Sequence, residues 1–166
     1  MSVKELPLTK ATTDDIVDID LSVIKKQKFR INGDNDKILE LNTSDMGLIT
    51  RLEESYPKLI KLQEKVVTIA DTDDNTDEMG MLSSAASKLR EIDNDMRETL
   101  DYIFQSNVSE TCGSDGSMYD PIDGEFRYEH IITTLLKLYE NNMEREFEKM
   151  KQRIDKHTSK YTKKRK

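Results

Sequence analysis

The sequence predicts an α+β protein that is mainly α: a small N-terminal antiparallel sheet or hairpin packed on a helical body with a long antiparallel helix pair. Three observations carry this expectation. Apolar residues fall at Ile132, Leu136, Tyr139, Met143, Phe147, Met150 and Ile154, in steps of 4, 3, 4, 4, 3 and 4, the repeat of one face of an α-helix. A second stripe, Leu82, Ala85, Leu89, Ile92, Met96, Leu100 and Ile103, steps by 3, 4, 3, 4, 4 and 3. Ahead of both lie short alternating runs around an Asn-Gly turn, which is hairpin chemistry.

In chain order, residues 1–15 read as a flexible lead-in rich in Thr, Lys and Asp, and residues 16–158 as one domain. Val17, Ile19, Leu21 and Val23 alternate with Asp18, Asp20 and Ser22, so a half-buried strand is expected there. Lys28-Phe29-Arg30-Ile31 and Lys37-Ile38-Leu39-Glu40-Leu41 flank Asn32-Gly33-Asp34-Asn35-Asp36. Gly and Asn tolerate positive φ, so these two runs are expected to form a hairpin. Two or three strands are marginal alone in water, so the sheet should lie on the helices. Thr43, Ser44 and Asp45 suit a helix N-cap. That helix is expected to bury Ile49, Leu52 and Tyr56, and Pro57 to break or kink it. A further piece, 58–70, carries Leu59, Leu62, Val66 and Ile69. The polar run 71–77 is a loop, in which Asn75 and Glu78 fit a capping box. The helix after it should run to about Gln105, and the last helix from Phe126 to His157. Each spans about 30 residues, or roughly 45 Å. They are expected to be antiparallel neighbours with one end projecting. The connection 106–125, rich in Ser, Gly and Asp, is longer than a usual helix–helix link.

Composition narrows the function classes. The chain has 166 residues, 35% hydrophobic and 36% charged, against roughly 25% charged in ordinary domains; exposed helices explain the excess. The single Cys112 excludes an internal disulfide and a multi-cysteine zinc site, and His130 and His157 are too far apart for a His-based metal motif. No run reaches the ~18 apolar residues of a membrane span, and residues 1–10 have no apolar core of a secretory signal. The expectation is a protein kept in a reducing cytoplasm. Charge is uneven: 71–148 hold 6 basic and 20 acidic residues, and 149–166 hold 9 and 1. An acidic body with a basic tail, 159–166, presents different ends to different partners.

Candidate chemistry is sparse. Asp115, Asp120, Asp123 and Glu125 could offer oxygen ligands to a hard cation, but Ser117 and Tyr119 spoil the EF-hand alternation, and turns with a helix cap account for them. Asp71, Asp73, Asn75 and Asp77 alternate better, yet Thr76 replaces the required Gly and Leu82 the bidentate Glu. Cys112 has no His near it in sequence. Gly113 and Gly116 sit among acids that would repel a phosphate. Neither a catalytic residue, a cofactor nor a metal is therefore expected. Arg145 with Glu148, and Glu146 with Lys149, are spaced for ion pairs along a solvated helix face. The residues expected to bind a partner are Met143, Phe147, Met150 and Ile154 on the stripe, with Lys160, Lys163, Lys164, Arg165 and Lys166 in the tail. Met packs adaptably. The basic residues could contact nucleic-acid phosphates, an acidic protein, or only the negative end of the helix dipole.

Two stretches carry a family resemblance. Phe29-Arg30-Ile31-Asn32-Gly33-Asp34 continues through Leu39-Glu40-Leu41-Asn42-Thr43-Ser44-Asp45, Arg51-Leu52 and Tyr56-Pro57-Lys58-Leu59. The other runs from Ser117-Met118-Tyr119-Asp120-Pro121 through Phe126 to Glu129-His130-Ile131-Ile132. About half the chain thereby resembles small proteins encoded among the tail genes of tailed phages of Gram-positive bacteria. Such proteins are taken to be tail assembly chaperones, which hold the tape-measure protein soluble while tube subunits polymerise around it. The resemblance implies a non-enzymatic assembly factor in the host cytoplasm with a helical protein partner; homo-oligomerisation is compatible with it. It assigns no residue a role.

Overall fold

The computed structural model describes residues 15–21, 26–71 and 78–164. It is mainly helical. The elements are β1 (Gln27–Arg30), β2 (Ile38–Leu41), α1 (Gly47–Asp71), α2 (Glu78–Phe104), α3 (Val108–Gly113), β3 (Pro121–Ile122), β4 (Glu125–Phe126) and α4 (Arg127–Lys164).

β1 and β2 form the expected antiparallel hairpin, with Arg30 opposite Ile38 and Gln27 opposite Leu41. Asn32 (φ 52°) and Gly33 (φ 72°) take the left-handed conformation that turns the chain. The Asp34 side chain accepts from the Asp36 amide at 2.9 Å. Leu39 and Leu41 are buried while Ile38 and Glu40 face outward, the period-two pattern of a sheet lying on a core. Ser106 Oγ donates to the Glu40 carbonyl at 2.6 Å and ties β2 to the end of α2. Over the described part of Val17–Val23 the expected strand is not formed: 15–21 are non-regular and Ile16, Val17, Ile19 and Leu21 are exposed, while 22–25 lie outside the described residues. Alternation supplies an apolar face, but a strand also needs a neighbour for its amides, and the described hairpin pairs only with itself. Residues 1–14 and the Asn75 cap also fall outside the described residues.

α1 shows that Pro57 does not break the helix. Pro57 lies inside one continuous 25-residue helix. Proline deletes the bond to the carbonyl four residues back; here that is Glu53, on the exposed side, where water can serve it. The inner face is Leu48, Leu52, Ser55, Leu59 and Leu62, leaving Ile49 and Tyr56 outside. The helix starts where Asp45 Oδ1 accepts from the Gly47 amide at 2.9 Å.

α1 packs antiparallel on α2. Arg51 Nε donates to the Ile103 carbonyl at 2.9 Å, and Tyr102 Oη to Glu54 at 3.0 Å. The antiparallel pair is thus α1 with α2, not α2 with α4. Phe104 meets the Tyr139 ring at 6.0 Å between centroids, and the start of α4 lies near Asp93, through Met118. α4 therefore runs parallel to α2. It is antiparallel to α1, since Tyr128 Oη donates to Gln63 and Asn142 Nδ2 to Ser44 Oγ. The buried core comprises Leu39 and Leu41, Leu48, Leu59 and Leu62 of α1, Ile92, Met96, Leu100, Ile103 and Phe104 of α2, Val108, Met118, and Tyr128, Ile131, Leu135 and Tyr139 of α4.

The connection 106–125 is ordered. α3 and the β3–β4 hairpin, turning through Asp123 and Gly124 at φ 51° and 84°, occupy most of it. Three α2 side chains spaced by four residues hold it. Asp93 accepts from the Met118 amide at 2.7 Å. Arg97 donates to Asp93 and to the carbonyls of Ser109, Gly113 and Gly116. Asp101 accepts from the amide and hydroxyl of Ser109 at 2.8 and 2.7 Å.

Candidate functional site

α4 has 38 residues, or roughly 57 Å of helix. Its first part is anchored: Tyr128, Ile131, Leu135 and Tyr139 are buried, and Asn142 bonds Ser44 at 2.9 Å. Met143 is half-buried, and from Phe147 to Lys156 every side chain is exposed. Phe147, Met150 and Ile154 are 47%, 53% and 64% exposed, though their spacing is that of a buried seam. The structure thus brings the four expected stripe residues onto one face of a helix that has outrun the body. Toward the body the stripe continues through Ile132 and Leu136 into a groove of about 400 Å³ bounded by Leu52 and Tyr56 of α1. The helix continues past His157 and carries Lys160, Lys163 and Lys164 within it; Arg165 and Lys166 lie outside the described residues.

A second concavity, about 580 Å³, opens between α1 and α2. Leu62, Ile69 and Ile92 floor it, with Lys61, Lys65, Lys88 and Glu91 at the rim. The expected α2 stripe ends there: Leu82 is exposed and Leu89 only half-buried. Its mixed-sign rim favours no class of ligand.

The polar candidates are engaged in structure. Asp115 and Asp120 contact Arg127, at 2.7 and 3.7 Å. A backbone hydrogen bond at Asp115, then the Arg127 charge, hold its carboxyl below the usual range. Arg127 Nε is buried with no partner among the described residues. Glu125 lies 3.9 Å from His130, both exposed. Burial, and then the Asp101 charge, push the Cys112 thiol up to about 11, which opposes the thiolate a nucleophile needs. Among the described residues no group of three or more His, Cys, Asp or Glu is placed to hold a metal ion, and no described helix is long and apolar enough to cross a membrane. Sequence reasoning missed the Asp93–Arg97–Asp101 ladder and Arg51, which also pairs with Asp45. The four-residue repeat of opposite charge on α2 was the available signal. No protein-family model, curated protein or solved structure matches the chain.

Proposed function

We propose that the protein is a non-enzymatic assembly factor that holds a helical protein partner along α4, and that it acts as a tail assembly chaperone for a tape-measure protein in the host cytoplasm. One observation supports this reading: Met143, Phe147, Met150 and Ile154 form an apolar stripe on a helix that extends beyond its own core. A partner helix laid in register covers such a stripe by contacts at three- and four-residue spacing. The net charge of −7 would keep the complex soluble. Co-expression tests it: the wild-type chain should raise the soluble fraction of a tape-measure protein, and the Phe147→Glu, Ile154→Glu double variant should not. Unchanged partner solubility with the wild-type chain overturns the reading.

A second reading is contact with nucleic acid through Lys160 to Lys166. It is favoured by the helical extension that carries Lys160, Lys163 and Lys164 away from the acidic body. It requires DNA binding that falls steeply with salt and is lost when 159–166 are removed; absent or salt-independent binding excludes it.

A further inference from the structure

The outer part of α4, beyond Tyr139, changes sign along its length. Between Glu140 and Glu148 it carries four glutamates and one arginine; between Lys149 and Lys156, four basic residues and one aspartate. The change falls between Phe147 and Met150, in the middle of the exposed stripe. Such a helix is complementary to itself when reversed. We propose that two copies of this chain pair antiparallel through this face, about a two-fold axis between Glu148 and Lys149. The proposal rests on α4 being a protein-docking surface, and it names the occupant when no other partner is bound.

The register follows from the stripe. With the axis at that point, Phe147 packs against Met150 of the second copy, and Met143 against Ile154 of the second copy, so each apolar side chain meets one of the opposite seam position. The flanking positions are then Glu144 beside Lys151 of the second copy and Glu146 beside Arg153 of the second copy. The two-fold axis repeats each pair, giving four attractive contacts. A parallel pair would retain only the Glu146–Lys151 contact and would set acidic stretch against acidic stretch. Isolation adds a second argument. An unsupported helix of under about 20 residues is marginal in water, and covering it with its own copy supplies the tertiary packing that α4 lacks from Phe147 to Lys156.

The experiment is light scattering on the full-length chain without other proteins, across micromolar concentrations, with far-UV circular dichroism confirming that each variant keeps its helix content. The wild-type chain should show a monomer–dimer equilibrium. Glu146→Arg and Arg153→Glu should each raise the dissociation constant about tenfold, since each turns two attractive contacts repulsive. An equimolar mixture of the two variants restores opposite charges across both flanks and should recover wild-type affinity as a heterodimer. A wild-type chain that stays monomeric throughout, an Arg153→Glu variant that dimerises undiminished, or a mixture no tighter than either variant alone overturns the proposal. Because the partner is absent, failure here leaves the co-expression test standing, and failure of that test leaves the dimer standing.

Discussion

Replacing Arg97 with Met should loosen the whole connection between α2 and α4. The guanidinium donates to Asp93 at 2.8 Å, to the Ser109 carbonyl at 3.0 Å and to the Gly113 carbonyl at 2.9 Å, and it also reaches the Gly116 carbonyl. Methionine keeps most of the side-chain volume and removes all four bonds, so the loss is polar rather than a cavity. A hydrogen bond to a charged group contributes about 1.5–3 kcal/mol when buried. The Arg97 side chain is 23% exposed, so water replaces part of that contribution at each site, and the net loss should be about 3 kcal/mol. Urea unfolding is the assay: the midpoint should fall with the slope unchanged, and the thermal midpoint should drop by roughly 6–12 °C. Hydrogen exchange should rise first at the amides of Ser109 and Met118, whose acceptors are Asp101 and Asp93. The control is Arg90→Met on the same helix, where the side chain is exposed, with an expected change within about 0.5 kcal/mol. A loss below about 1 kcal/mol at Arg97, or an equal loss at Arg90, refutes the reasoning that this side chain holds the connection.

Removing 143–166 should leave the unfolding free energy of the body, from urea titration, within about 0.5 kcal/mol of wild type, because among the described residues every buried core side chain lies before Met143; a large drop would mean that the overhang supports the fold. Alkylation of Cys112 should keep accelerating as pH rises through 9 toward about 11, and a plateau near the ordinary thiol value would refute the shift. The same raised value makes the folded state favour the neutral thiol, so its contribution to stability is present below the unfolded value of 9.0 and fades as pH climbs toward about 11. Two glycines should respond with opposite sign. Gly33→Ala should cost about 1 kcal/mol at φ +72° with nothing in steric reach, whereas Gly80→Ala in α2 should gain about 0.5 kcal/mol, both by urea midpoint.

The hairpin was legible because its signals agree: alternation in β2, and Asn-Gly at the two positions that adopt positive φ. At Val17–Val23 only alternation was present, and the described part is exposed coil. Pro57 misled in the other direction. A break there hides the single register from Leu48 through Leu52, Ser55, Leu59 and Leu62, and Ser55 reads as polar in the sequence. A proline whose missing bond falls on a solvent-facing carbonyl is a weak terminator, and sequence alone does not say which side faces water. The stripe on α4 was fully legible as a stripe. Its exposure was not, because that depends on where α4 begins relative to α2.

That starting point explains the overhang. A short link after Phe104 would have returned the chain along α2 as an antiparallel helix, with its stripe available for burial along the whole body. Instead the connection doubles back down α2, held by Asp101, Arg97 and Asp93 in succession, and delivers Arg127 near the level of Asp93. From there α4 runs parallel to α2 and passes its end at Tyr139, beside Phe104. From Phe147 to Lys156 every side chain is then exposed, roughly 15 Å of helix with no body beside it. Three side chains on α2 therefore set how much of the apolar seam is left uncovered. A shorter connection that preserved the same α4 sequence would bury the seam against α2 and abolish any docking along it.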